Sequence, residues 1–331
     1  MDKRIFTDEV VAALKRHLRR KRSTENRPIL VFSCGGEEKS HSSRKMLQAY
    51  VECNESSCLR NVFFMKAENI AGDPSMQDFD LLTQEALVAD IADWLIIFAE
   101  SVGSFCELGS FAVLPHAAEI TSVVVDKKRR HDSSFLMNGP VRVIEQNKSP
   151  LANVFFANLK CPMENTEFTL FVNCVREKVN EAEQGDVIRK PINLLASSVF
   201  VGSFAHELLD LLALFGPLSA NEVVDLYCAI KGFKKSEIKL VSKILEADMR
   251  KPKPIRVDHV LAAMLATGML GQIKGIEGSC LYYSKIPLDS YFMFRETSSK
   301  DFKSTRSQVL LSRRNRGRCY EKNLYQRFDR A

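Results

Sequence analysis

The residues with most chemical promise lie in WLIIFAESVGSFCELGSFAVL, Trp94 to Leu114. The segment opens as an apolar run that reads as a buried strand and continues as a helix. Glu107 falls near the start of that helix, after a turn holding Gly103 and the hydroxyls of Ser101 and Ser104. An acid near a helix N-terminus can serve the dipole alone, worth roughly 0.3–1 kcal/mol. At the carboxyl edge of an interior strand the same carboxylate faces a ligand crevice. There it can act as a nucleophile or as the electrostatic partner of a developing oxocarbenium ion. That is the chemistry of breaking a bond at a sugar's anomeric carbon. Backbone N–H groups of Gly103 to Phe105, and of Gly35 and Gly36 in a second glycine turn, offer donors to phosphate or sugar oxygens.

Such a crevice needs strands whose ends converge. PILVFSCGG, Pro28 to Gly36, is a continuous apolar run stopped by two glycines, and HSSRKMLQAYVEC after it reads as a helix. NVFFMKAE, Asn61 to Glu68, predicts a second strand and DLLTQEALVADIAD a second helix. WLIIFAE is the third strand, and SFCELGSFAVLPHAAE the third helix. ITSVVVDKK, Ile120 to Lys128, predicts a fourth strand, and GPVRVIEQ from Gly139 a fifth. Apolar strands alternating with helices mean α/β architecture, with a parallel sheet covered on both faces. Its carboxyl edge would gather Ser33, Cys34, Gly35 and Gly36, then Glu68 and Asn69, then Glu100, Ser101, Gly103, Ser104 and Glu107, then Asp126.

The second half has a different character. EAEQGDVIRK, Glu181 to Lys190, reads as a polar linker. PINLLASSVFVGSFAHELLDLLALFG, SANEVVDLYCAIKGF and KKSEIKLVSKILEADM each read as helices. RVDHVLAAMLATGMLGQIKGIEGSCLYYSK then reads as a helix followed by a glycine-bearing hairpin. Short helices followed by a two-stranded hairpin form the winged helix-turn-helix pattern, which serves nucleic-acid or protein contact.

A chain of 331 residues fits two domains, and 45% hydrophobic with 27% charged residues is ordinary for a globular protein. No apolar run reaches membrane-spanning length, and the N-terminal MDKRIFTDEVVAALKRHLRRKR lacks signal-peptide features. It reads as an amphipathic helix over Thr7 to Arg22, and the expected location is cytoplasmic. The nine cysteines are scattered without zinc spacing, so free thiols and no metal site are expected. From Lys300 onward ten Lys/Arg stand against three acids, which points toward a polyanionic partner. Within SRRNRGRCYEKNLYQRF, the residues Arg313, Arg314, Arg316 and Arg318 precede Tyr320, Tyr325 and Phe328, a mixture suited to RNA or single-stranded DNA.

Three segments, ILVFSCGG, ADWLIIFAESVGSFCELGSFA and SSFLMNGPVRVI, together resemble the nucleoside deoxyribosyltransferase-like effectors encoded beside bacterial retron reverse transcriptases. The resemblance covers the first domain in order, and the C-terminal part only in general layout. In the wider deoxyribosyltransferase family the glutamate of G-x-x-x-E-L/I-G is the nucleophile at the anomeric carbon. Gly103, Glu107 and Gly109 match that element, so the resemblance gives the role to Glu107. The family often places an aspartate six residues earlier to orient the base, where this chain has Ser101 beside Glu100. It often has a tyrosine near the end of the first strand, where this chain has Ser33, Cys34 and Gly35. The first of these departures tells against ordinary exchange of nucleobases. Arg142, in the third matched segment, becomes a candidate phosphate contact.

The resemblance implies a parallel-sheet, Rossmann-like deoxyribosyltransferase-like domain followed by a mainly α winged-helix domain. The expected organisation is an amphipathic basic helix over residues 1–26, the catalytic domain over 27–180, the winged helix-turn-helix domain over 190–290 and a basic tail over 291–331. It further implies a toxic anti-phage effector held with a reverse transcriptase and its RNA-linked single-stranded DNA, as a homo-oligomer within a larger assembly and without membrane contact. The implied reaction is hydrolysis of an N-glycosidic bond, with NAD, cleaved to nicotinamide and ADP-ribose, as the favoured substrate and no cofactor or metal. Nicotinamide leaves as a neutral molecule from a cationic ring, so one well-placed carboxylate suffices. The alternatives are a non-enzymatic nucleotide-sensing subunit, a nucleoside 2-deoxyribosyltransferase and another nucleotide hydrolase.

Overall fold

The computed structural model describes residues 6–18, 27–37, 39–54, 59–65, 74–188, 198–245, 254–275, 279–286, 291–295 and 297–314. The chain begins with α1 (Asp8–Arg16), whose Thr7 cap accepts a hydrogen bond from the Val10 N–H. Residues 19–22 of the expected helix lie outside the described residues. There follow β1 (Ile29–Cys34), α2 (Ser43–Cys53), β2 (Val62–Met65), α3 (Leu81–Ile91), β3 (Trp94–Ala99), α4 (Val102–Ala112), α5 (Pro115–Ile120), β4 (Thr121–Asp126), α6 (Arg142–Glu145), β5 (Asn153–Ala157), α7 (Thr166–Asn173) and α8 (Val175–Ile188). The five strands form one parallel sheet in the order β2-β1-β3-β4-β5. In register, Cys34 stands beside Ile97, Ile97 beside Val123 and Val125 beside Phe156.

Alternation along the strands divides the core by face. Leu30, Phe32, Cys34, Leu95, Ile97 and Val123 pack in one buried cluster with residues of α3, α4 and α5. Ile29, Val31, Trp94, Ile96, Phe98 and Val124 pack in another with α2, α7 and α8. Each fully buried side chain of this size contributes roughly 1.5–3 kcal/mol, which is why β1 and β3 carry no exposed position.

Five expectations need correction. Ser198–Phe200, within a stretch that reads as helix, forms a short strand. The stretch from Gly139 is not a strand. It enters a wide helical turn (Met137–Val141) that leads into α6, and the fifth strand is Asn153–Ala157. Val141 and Ile144 are buried while Val143 is exposed, so the apolar spacing is three and not two. The expected third helix breaks into α4 and α5 at Pro115, because proline supplies no N–H and excludes its predecessor from helical geometry. The polar stretch read as a linker continues α8 to Ile188, and its Glu183 is held by the buried Arg27 guanidinium at 2.8 Å. Residues 234–245 are not helical: a 3-10 turn (Lys235–Glu237) leads into a short strand, and 246–249 lie outside the described residues.

The second half comprises β6 (Ser198–Phe200), α9 (Val201–Phe215), α10 (Ala220–Lys231), β7 (Lys239–Val241), α11 (Val257–Ala266), β8 (Leu270–Lys274), β9 (Cys280–Ser284) and α12 (Lys300–Arg314). β6 pairs in parallel with β7, and β8 and β9 form an antiparallel hairpin. Leu218, between α9 and α10, bridges to Tyr282 on β9 through two backbone hydrogen bonds of 2.8 and 2.9 Å. The start of the basic tail is ordered as α12. It packs on α1 and α9, burying Phe302 and Val309, with Arg306 donating to the Leu214 carbonyl.

The two halves share one core cluster, because α9 lies against α3. Asp90, at the end of α3, accepts the N–H groups of Lys243 and Ile244 at 3.0 and 3.2 Å. Gly202 approaches so closely that a Cβ there would stand 2.1 Å from the Asp90 carbonyl oxygen. Arg27 is buried between Asp93, at 2.9 Å, and Glu183, while Arg176 donates to the Arg27 carbonyl at 2.8 Å. Among the described residues every cysteine is free, and no helix is long and apolar enough to cross a membrane.

Burial pushes the Asp90 carboxyl up to about 7. An acid raised on folding gives its full stability below its unfolded pKa, near about 4, and loses it as pH rises through the folded value. Asp90→Asn keeps the acceptor and cannot ionise. Its thermal midpoint should match the parent near pH 4, pull ahead steadily towards pH 7 and stay ahead by a constant margin above that.

Candidate active site

The strand order reverses direction between β1 and β3, since β2 lies on one side of β1 and β3 on the other. In open parallel sheets ligands bind outside the carboxyl ends at this switch point. Two loops meet there: Gly35–Gly36 after β1, and Glu100–Ser101 after β3.

Glu100 joins them. Its Oε1 accepts the Gly36 N–H at 3.1 Å, and its Oε2 lies 2.6 Å from the Ser43 hydroxyl at the start of α2. The same hydroxyl lies 2.6 Å from the Leu159 carbonyl oxygen, beyond β5. The glycines make this approach possible. A Cβ on Gly35 would stand 3.0 Å from Glu100 Oε1, and one on Gly36 would stand 2.3 Å from His41 Nδ1. Arg44 closes the turn by donating to the Gly36 carbonyl at 3.1 Å. The Gly36 N–H, expected as a ligand donor, is therefore occupied by Glu100.

Ser101 and Ser104 cap α4 reciprocally. The Ser104 N–H donates to Ser101 Oγ at 3.1 Å, and the Ser101 N–H to Ser104 Oγ at 3.0 Å. Ser104 is fully buried, so its hydroxyl belongs to the cap. Gly103, in the first turn, is exposed. One turn further along, Glu107 reaches back over the sheet edge with Oε2 buried.

Cys34 is its neighbour. Burial pushes the Cys34 thiol well up. The Glu107 carboxylate, which accepts a hydrogen bond from it, and Glu85 on α3 push it further, while Arg44 opposes them. The sulfur is thus a neutral S–H donor facing a carboxylate. Two carboxylates and one guanidinium act on this one buried sulfur atom. Glu85 was not foreseen in the sequence. It is half-buried on α3, and burial raises its own carboxyl. It directly precedes the buried apolar run Ala86 to Ala89, and nothing in the local pattern marks it as a site residue.

The other candidates are placed differently. Strand alternation turns Ser33 to the opposite sheet face from Cys34. Asp126, at the end of β4, accepts the Lys128 N–H at 2.9 Å. Arg142 is exposed on α6. Neither Asp126 nor Arg142 is among the charged groups acting on the Cys34 thiol. Glu68, Arg316 and Arg318 lie outside the described residues, as do the side chains of Arg313 and Arg314 at the end of α12. Among the described residues no group of three His, Cys, Asp or Glu could hold a metal ion.

A family model described as "STM3845 retron effector protein" matches residues 40–250, a span that carries Glu85, Glu100 and Glu107. The "Retron Ec86 putative ribosyltransferase/DNA-binding protein" of Escherichia coli is 31% identical over 149 residues, 44% of this chain and 47% of that protein. The "Retron Ec73 putative ribosyltransferase/DNA-binding protein" of Escherichia coli is 25% identical over 223 residues, 63% of this chain and 70% of that protein. The match to the Ec86 protein thus spans about half of that protein's length.

Removing the Glu100 carboxylate should loosen the whole edge. A hydrogen bond to a charged group contributes about 1.5–3 kcal/mol. Glu100→Ala should therefore lower the urea midpoint by an amount equivalent to about 2–3 kcal/mol at unchanged slope, whereas Glu100→Gln, which keeps an oxygen for Gly36, should lose less than half of that.

Proposed function

The chain belongs to the retron effector family, and on that premise we propose that its sheet-edge crevice hydrolyses the N-glycosidic bond of a nucleotide, with NAD as substrate and nicotinamide and ADP-ribose as products. The observation that carries this reading is the buried Cys34 thiol donating to the half-buried Glu107 carboxylate at the switch point, with Glu85 acting on the same sulfur. The name ribosyltransferase on both relatives supports chemistry at an anomeric carbon.

In this reaction the Cys34 S–H orients the Glu107 carboxylate toward C1′ of the ribose. The C1′–N bond breaks, its electron pair leaves with nicotinamide, and a bond forms between Glu107 and C1′. Water then attacks C1′, releases the carboxylate and gives its proton to Glu85. A carboxyl raised by burial holds and passes protons near neutrality better than an ordinary glutamate. Ser101 occupies the place of the base-orienting aspartate and commits its hydroxyl to the α4 cap. Without that carboxylate an acceptor base has less to hold it, which favours water over base exchange.

We further propose that the second half is a winged-helix module, and that the chain works as a toxic effector beside a reverse transcriptase and its RNA-linked DNA, as a homo-oligomer in a larger assembly. The succession α9, Leu218, α10, α11 and the β8–β9 hairpin, with Leu218 bridged to the hairpin, supports the module. Residues His259 to Met264 of α11 are buried without a break, where the helix packs on α3, α9 and the turn Pro74–Met76. In this module the helix that reads base edges elsewhere is a docking element for the catalytic half. Contact with nucleic acid then falls to other surfaces, in keeping with the DNA-binding name of the relatives.

The test is a time course of NAD with the purified chain, alone and with its candidate partners, reading nicotinamide by chromatography. The parent should release nicotinamide. Glu107→Gln should slow release by about a thousand-fold or more, the scale expected when a covalent nucleophile is lost, with an unchanged thermal midpoint. Equal release by the variant removes Glu107 from the role. Nucleotide binding without release by the parent supports a sensor instead.

A further inference from the structure

A second surface on the same sheet edge has no part in this chemistry. β4 ends at Asp126, and the next five residues are Lys127, Lys128, Arg129, Arg130 and His131. Lys127, Lys128, Arg130 and His131 are exposed, and the acids beside them are Asp126 and Asp132. The segment is built rather than loose. The Asp126 carboxylate caps the turn through the Lys128 N–H at 2.9 Å, and Arg129 pairs with Asp132 at 3.7 Å. The Arg129 guanidinium lies over the Phe105 ring on α4 at 5.6 Å, and that of Arg130 over Phe156 on β5 at 5.0 Å. Both guanidiniums are thereby held in place on the protein.

Four residues after His131 stands Phe135, 87% exposed. The chain then returns to α4, where the turn Met137–Val141 packs. Val102, in the first turn of α4, is 78% exposed as well. Exposed cations and a bare aromatic ring within one connecting segment, Lys127 to Phe135, have a specific use. Phosphates neutralise the cations with release of counterions, and an unpaired base stacks on the ring. A duplex keeps its bases stacked inside and cannot use such a ring, and an acidic peptide has no base to offer.

We propose that Lys127, Lys128, Arg130 and Phe135 form a binding site for single-stranded nucleic acid on the rim beside β4. The site lies apart from the basic C-terminal tail and from the buried α11, and it holds whether or not the crevice cleaves NAD.

The experiment is fluorescence anisotropy of a labelled twenty-nucleotide oligothymidylate with the full-length chain over a range of NaCl concentrations, beside a duplex of equal length. Phe135→Ala should weaken binding of the single strand by about ten-fold or more while leaving the duplex unchanged. Lys127→Gln with Lys128→Gln should weaken both. For the single strand it should lower the slope of log affinity against log salt by about 1.4, at 0.7 per phosphate contact. All of these side chains are exposed, so thermal midpoints should not move. Variants that bind the single strand like the parent would overturn the site, as would binding lost only on removal of residues 315–331. Displacement of the oligonucleotide by polyglutamate with equal effect on the parent and Phe135→Ala would show a merely charged surface and would also overturn it.

Discussion

Everything at the candidate site hangs on the parallel pairing of β1 with β3. That pairing sets Cys34, the last residue of β1, beside Ile97, two residues before the end of β3. Two loops with no sequence proximity then face each other, and the Glu100 carboxylate ties them by taking the Gly36 N–H and the Ser43 hydroxyl. The tie works only because Gly35 and Gly36 leave room for it. With the loops tied, α4 starts at a fixed place, and its reciprocal Ser101–Ser104 cap sets its direction. Glu107 then arrives one turn later over the Cys34 thiol. A slip of one residue between β1 and β3 would turn Cys34 to the other face and dissolve the pair.

The second half of the chain supports this edge from behind. α3 carries Glu85 toward the crevice and is itself held by α9, by the Asp90 cap on Lys243 and Ile244, and by α11. These contacts bury apolar surface continuous with the sheet's own core. A helix that must present a half-buried carboxylate gains from such backing, because a loosely held wall would let the acid swing to water. The buried Arg27, between Asp93 and Glu183, does related work where β1 begins. There it joins the residue preceding β3 to α8. Removing either carboxylate would leave a buried cation short of a partner, which is why such a group is retained once it is satisfied.

Much of this was legible in the residues. The runs ILVFSC and WLIIFA are apolar at every position because both sheet faces are covered, and the glycines after them marked the turns. The convergence of Cys34 and Glu107 followed from strand ends in a parallel sheet. The segment from Gly139 misled because Val141 and Val143 alternate like a strand, while burial of Val141 and Ile144 obeys a helical period. Residues 234–245 misled in the other direction. Their helical pattern yields to pairing of β7 with β6 and to the Asp90 cap, both distant in sequence. Glu85 was invisible for a similar reason: nothing local tells that its helix lies over the end of β1. The shared core of the two halves was equally hidden, since a change of composition near residue 190 looks like a boundary even where α9 continues the packing.

The central claim is that Glu107, held by Cys34 at the β1–β3 edge, reaches the anomeric carbon of a nucleotide. Its most direct test is peptide mass analysis after rapid quenching of the protein with a slow 2′-fluoro analogue of NAD. Fluorine at that position slows collapse of a glycosyl–carboxylate ester more than it weakens binding. The account predicts one ADP-ribosyl-type adduct, carried by the peptide that contains Glu107 and absent from Glu107→Gln. An adduct on Glu85 or Glu100, or turnover of the analogue with no adduct at any time point, would contradict it.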